Sequence, residues 1–206
     1  EYDDLKFSIL DLEKKYKFLN NKSSPSKKVG FKPSKNFQKQ KHKVPMLSLS
    51  NIFDKEDLIN FEKKIKNYLD FSSNQIFEYS VEPKIDGISA SLTYKNGMLQ
   101  AGLSRGDGYE GELITENLKT INDIPKNINF KDFPKHIEIR GEVYINKSDF
   151  ENLKEKFANP RNAASGSLRQ KLSSETKKIP LKFVAYTFGF IEKNYSKKQS
   201  EFLDSL

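Results

Sequence analysis

Apolar residues recur with two different periods along this 206-residue chain. Between Tyr2 and Leu19 they stand at Leu5, Ile9, Leu12, Tyr16 and Leu19, close to one stripe of a helix. The stripe stops at Asn20-Asn21-Lys22-Ser23-Ser24-Pro25, a cluster of helix breakers. Helical spacing resumes through Leu58, Phe61, Ile65 and Leu69, with Asp54 placed to cap the first turn. From there the period shortens to two. Phe77, Tyr79 and Val81 alternate, then Ile88, Ala90, Leu92 and Tyr94, and both runs predict strands. Asn96-Gly97 is the preferred two-residue hairpin turn, so Met98 to Arg105 should return antiparallel to the strand before it. Ile114, Leu118 and Ile121 predict a short helix, and Ile137, Ile139, Gly141, Val143 and Ile145 a further strand. Ser148-x-x-Glu151 reads as a capping box opening a helix through Phe150, Leu153 and Phe157. After Asn159-Pro160 the small residues of Arg161 to Gln170 predict a helix, and Leu181 to Phe190 a mostly apolar strand. Consecutive hairpins mixed with helices indicate an α+β chain with antiparallel sheets, not a doubly wound parallel sheet.

The length suits one well-buried core plus a small appendage. No run approaches the ~18 apolar residues needed to span a bilayer, and no basic segment followed by an apolar stretch suggests a secretory leader. No membrane partner is expected. Zero cysteine excludes disulfides, a thiol nucleophile and any cysteine-built zinc or iron–sulfur site. Two histidines far apart, His42 and His136, make a His-rich metal centre an unpromising reading. The chain opens on Glu1 rather than Met and stops inside a new amphipathic stretch, Gln199 to Leu206, so a piece of a longer protein is expected.

Charge adds a second clue. The net charge is +8, yet eleven lysines and no acidic residue lie between Lys14 and Phe53. That stretch could be a strap lying along phosphates or simply a solvated Lys/Ser/Asn linker. Only four of the 36 basic residues are arginine: Arg105, Arg140, Arg161 and Arg169. A chain that defaults to lysine keeps arginine where a planar, multi-donor fork is needed. The four cluster between 105 and 169, which points to a site there, with chance clustering as the bland alternative.

The chemistry concentrates in Val81-Glu82-Pro83-Lys84-Ile85-Asp86-Gly87. If extended, this segment projects Glu82, Lys84 and Asp86 from one face, and Gly87 lets the backbone turn or admit a ligand closely. By itself Lys-x-Asp-Gly is a weak signal, and a surface salt bridge ahead of a strand would also produce it. Three more segments join it: Ser104-Arg105-Gly106-Asp107-Gly108, Ile139-Arg140-Gly141-Glu142-Val143, and Phe157 to Gln170 with Arg161 and Arg169 roughly two helical turns apart.

Together with Val44-Pro45-Met46-Leu47-Ser48-Leu49, these segments resemble the NAD+-dependent DNA ligases of bacteria over nearly the whole chain. The resemblance implies an adenylation domain of nucleotidyltransferase fold over 44–206, truncated at its C-terminal end. Ahead of it would stand a basic linker at 22–43 and, at 1–21, the end of the helical domain that holds the nicotinamide mononucleotide half. It further implies that Lys84 is the nucleophile that becomes adenylated. Ser48 and Leu49 would line the adenosine pocket, Glu82 would contact adenine, and Arg105 and Glu142 would contact the adenylate. Arg161 and Arg169 would hold phosphates of DNA or nucleotide, and Tyr2 and Asp3 match the end of the nicotinamide-side motif. Pro83 departs from the commoner apolar residue and removes a backbone donor beside the nucleophile. The cofactors implied are NAD+ and Mg2+ (or Mn2+), with zinc expected only in a downstream part outside this chain. The partner implied is nicked double-stranded DNA, bound by a monomer in the bacterial cytoplasm at the nucleoid. The downstream modules of such ligases lie outside this chain, so nick sealing by this stretch alone is not expected. An ATP-dependent ligase or capping-type nucleotidyltransferase shares the lysine motif, and a non-catalytic DNA-binding module would need only the basic strap.

Overall fold

Asn96 and Gly97 take φ of +49° and +77°, the left-handed values a two-residue hairpin requires. In the computed structural model, which describes residues 2–20, 24, 37–129, 131–153, 155–193 and 196–206, that turn joins the first pair of a four-stranded sheet. Strands are β1 (Lys39–Lys41), β2 (Ile88–Lys95), β3 (Met98–Ser104), β4 (Glu110–Glu112), β5 (His136–Tyr144) and β6 (Lys182–Ile191). Helices are α1 (Tyr2–Lys15), α2 (Lys55–Tyr68), α3 (Thr115–Leu118), α4 (Lys147–Phe150), α5 (Pro160–Leu168), α6 (Ser173–Lys177) and α7 (Gln199–Asp204). The main sheet runs β3-β2-β5-β6, antiparallel throughout, and β1 pairs with β4 in a separate two-stranded ribbon. The α+β class with antiparallel sheets is therefore the observed one. No helix among the described residues is long and apolar enough to cross a membrane.

Because side chains alternate along a strand, β2 and β5 present two different faces. Ala90, Leu92, Tyr94, Ile137, Ile139 and Val143 are buried on one of them, in a core with Leu118, Ala163, Ala164 and Leu168. Each large apolar side chain so buried contributes ~1.5–3 kcal/mol. The opposite face is polar. Ser89, Ser91, Glu138, Arg140 and Glu142 share it, and all but the half-buried Ser89 are buried. Ser91 Oγ donates to Glu138 at 2.7 Å, and the same Glu138 oxygen accepts from Arg140. This is the face that carries the site.

Several expected elements differ. Phe77 to Val81 forms no strand: Tyr79 and Val81 are exposed, Val81 at 92%, and the segment pairs with no described strand. Helix α4 starts at Lys147 behind Asn146, which places Ser148 inside the helix, so no Ser148–Glu151 capping box forms. Asp54 does cap α2, its carboxylate accepting from Asp57 N at 2.8 Å. The end of the stretch read as linker is built into the fold. Residues 39–41 pair with β4, and His42 is buried. Most of the remaining linker, 22–23 and 25–36, lies outside the described residues.

Candidate active site

Glu142 and Ser89 are register partners across β5 and β2, and Ser89 Oγ donates to Glu142 Oε2 at 2.9 Å. Burial pushes the Glu142 carboxyl above the ordinary carboxylate range, against the pull of the Ser89 hydroxyl and the charges of Arg161, Lys84 and Arg105. Those three cations come from a loop, a turn and a helix far apart in sequence, and the fold gathers them around one carboxylate. Tyr186 joins the same group. Its phenol is pushed above its usual range, chiefly by burial, while it interacts with Ser89 and senses Glu142 and Arg105. Sequence reasoning missed it because β6 reads as a plain apolar strand. Pairing steps from Arg140–Thr187 to Gly141–Ala185, so Tyr186 is the extra residue of a β-bulge. Bulges re-aim a side chain next to a site, and their position has no simple sequence signature.

Lys84 sits on the loop entering β2. It is exposed, and its amine makes no hydrogen bond or ion pair among the described residues. Gly87 fixes where that loop meets the sheet. A Cβ there would lie 2.2 Å from the Val143 carbonyl oxygen and 2.9 Å from Glu142 Cγ, so only glycine lets the loop approach β5 this closely. Glu82 is exposed and accepts from Ser80 Oγ at 2.8 Å and from Gln199 Nε2 at 3.2 Å. Arg105 follows β3 on a turn shaped by Gly106 and Gly108, at φ +58° and +95°. Asp107 ties that turn, accepting from the backbone N–H groups of Tyr109 and Glu110. These bonds, that of Glu110 foremost, hold its carboxyl below the ordinary range. The Arg105 side chain has no ion pair among the described residues.

The remaining arginines are already engaged. Arg161, in the first turn of α5, pairs with Asp86 of the lysine motif at 3.0 Å, and both are well exposed. Asn159 caps that helix, its side chain accepting from Asn162 N. Arg169 stands just past the end of α5, and its Nε donates to the fully buried Glu112 at 3.0 Å. Arg161 and Arg169 therefore turn to different partners rather than to one shared cleft. Arg140 is spent on Glu138 and on the carbonyls of Val44 and Pro45. Ser48 and Leu49 follow that anchored segment and are exposed, with no side-chain hydrogen bond from Ser48 to Lys84 or Glu142 among the described residues. Tyr2 and Asp3 belong to α1, but their side chains lie outside the described residues. A groove of about 500 Å³ between Ser50–Ile52 and α2 contains none of the site's residues.

Two arginines and the exposed Lys84 amine around one carboxylate suit an anionic ligand that also offers hydroxyl groups, as a nucleotide does. A resident divalent cation fits less well. Among the described residues no three His, Asp or Glu side chains converge into a cage.

The sequence pattern of the NAD-dependent DNA ligase adenylation domain matches residues 34–206. The chain is 65% identical over its whole length to a DNA ligase of Pelagibacter ubique (strain HTCC1062). It is also 50% identical over its whole length to one of Rickettsia canadensis (strain McKiel), and 49% identical over 98% of its length to one of Rickettsia bellii (strain OSU 85-389). The chain spans about 30% of the length of each of these relatives.

Proposed function

The chain belongs to the NAD-dependent DNA ligase adenylation-domain family, and from that premise we propose that it carries the first chemical step of a DNA ligase. The Lys84 amine attacks the α-phosphorus of NAD+. A P–N bond forms and the P–O bond to nicotinamide mononucleotide breaks. That group leaves with the electron pair, the attacking amine loses one proton to solvent and keeps the other, and AMP remains on Lys84 as a phosphoramidate. AMP then passes to the 5′-phosphate of nicked duplex DNA, and the neighbouring 3′-hydroxyl displaces it to seal the strand. The protein would act as a monomer in the bacterial cytoplasm, at the nucleoid.

The observation that carries this reading is the exposed, unpartnered Lys84 amine beside Glu142, Arg105 and Arg161. Arg105 and Arg161 would stabilise charge developing on the phosphate. Removing one such preorganised donor typically slows chemistry about 10²- to 10³-fold. Glu142, fixed by Ser89, would accept from ribose hydroxyls, and Glu82 would contact adenine. Magnesium would travel with the nucleotide phosphates rather than sit in a protein-built cage.

The test is incubation with NAD+ or ATP labelled in the adenylate, followed by peptide mass spectrometry. AMP is expected on Lys84 with NAD+ and not with ATP, and no adduct is expected in Lys84→Ala. Labelling by ATP alone would assign the chain a different nucleotide. An adduct persisting in Lys84→Ala would remove Lys84 as the nucleophile.

A further inference from the structure

Arg140 lies at the centre of the polar face, 8% exposed, with nearly all its donor capacity consumed inside the protein. Its Nε and Nη2 donate to Glu138 Oε1 at 3.3 and 3.1 Å. Its Nη1 donates to the Pro45 carbonyl at 3.0 Å, and its Nη2 also reaches the Val44 carbonyl. Two consecutive backbone carbonyls of a segment some 95 residues away are thus read by one planar fork. Met46 completes the anchorage: its side chain is buried, and its amide donates to the Gly108 carbonyl at 2.8 Å. Space around the fork is restricted too. A Cβ on Gly189 would lie 2.5 Å from Arg140 Nε and Nη2. The segment so held runs directly into Ser48 and Leu49, and the Gly108 turn that receives Met46 also carries Arg105.

We infer that Arg140 is a positioning residue for nucleotide binding: its fork clamps the Val44–Met46 backbone and, through the Met46–Gly108 bond, holds the turn that carries Arg105 beside Glu142. The inference rests on the proposed adenylation reading. Arg140 is buried and directs its donors at protein acceptors, so its part is to hold the backbone rather than the ligand. Its contribution is to capture of the nucleotide rather than to the bond-making step. Lysine would keep the positive charge, but with its three donors on one nitrogen it could not span Glu138 and two carbonyls held by separate guanidinium nitrogens.

The test measures single-turnover adenylation of Lys84 across NAD+ concentrations in the intact protein, for wild type, Arg140→Lys and Gly189→Ala. The alanine variant crowds the fork without removing it, and the fork is the flexible end of its side chain, so the sheet is expected to survive. In both variants the NAD+ concentration for half-maximal rate is expected to rise about 10- to 100-fold, with the saturating rate within threefold of wild type. Hydrogen exchange supplies the second readout. The Met46 amide should exchange faster in both variants, while the amides pairing β2 with β5 keep their protection. An unchanged half-saturation in either folded variant, or a fall confined to the saturating rate, would overturn the inference. If Arg140→Lys fails to fold, Gly189→Ala decides by the same two criteria. Failure of the adenylation reading shows instead in wild type, as absence of the Lys84 adduct.

Discussion

Glu142 binds its proton more tightly in the folded protein than in the unfolded chain, because burial outweighs the cations around it. The consequence for stability has a definite sign. Below the unfolded carboxylate range both states hold the proton, and folding bears no penalty. As pH rises through the window between the unfolded and the raised folded value, the unfolded chain ionises first and stability is lost. Glu142→Gln should therefore melt higher than wild type at pH 7 but not at pH 3.5, while adenylating poorly at both. Thermal midpoints across that range, read beside adenylation rates, check it; a lower midpoint at pH 7 would mean the carboxylate is net stabilising. The two outer arginines should also separate. Arg161 pairs with Asp86 at the surface, where such pairs contribute ~0–1 kcal/mol, so Arg161→Ala should melt near wild type yet adenylate slowly. Arg169 is the partner of a Glu112 that is fully buried. Arg169→Ala removes a charged partner of that buried carboxylate and should cost ~1–3 kcal/mol, lowering the midpoint by roughly 2–10 °C. Equal midpoints for the two variants would contradict the difference in burial.

Between the lysine loop and β2, Gly87 is the joint that lets one element reach another. Gly87→Ala forces a Cβ into the Val143 carbonyl and Glu142, so the loop must lift from β5. Adenylation is expected to fall at least tenfold, and the midpoint by more than the ~0.5 kcal/mol of an ordinary surface change. Alanine at wild-type rate would show that the loop has slack. The core strands were legible because their alternation coincides with burial: Ile137, Ile139 and Val143 face the core as the period requires. Asn96-Gly97 was legible because so few residues tolerate positive φ. β1 and β4 were not. Each is three residues long, rich in Lys, Glu and Gly, and each is specified by its partner some 70 residues away. Phe77 to Val81 misled because alternation states only that two faces differ, not that a neighbouring strand is available. At the site, Lys84, Arg105, Glu142 and Arg161 stand together as the motifs suggested. Tyr186 needed the bulge, and Arg140's clamp needed a contact no local pattern records. Arginine scarcity identified residues whose guanidinium groups are used, but the Arg140 fork is aimed inward, at protein acceptors, and Arg169 gives its Nε to the buried Glu112.

Across the whole molecule, positive charge is concentrated in the segment that ends at β1. Lys39 and Lys41 lie on that strand, both exposed. If they face DNA phosphates, replacing both with serine should flatten the log–log salt dependence of nicked-DNA binding by about 1.8. Affinity should fall gradually, with adenylation by NAD+ unchanged; an unaltered slope would make them solvent-facing linker residues. The sheet order β3-β2-β5-β6 also sets a schedule. During synthesis the β2–β3 hairpin can close as soon as its turn is made. Lys84, however, leaves the ribosome roughly a hundred residues ahead of the end of β6, a lag on the order of ten seconds at bacterial speeds. Until β5 is made, β2 has one open edge and Glu142 is absent; until β6 follows, Tyr186 is still to arrive and the surroundings of Lys84 are incomplete. A ribosome-bound chain stopped before Lys182 should consequently take up no AMP, however long it waits with NAD+.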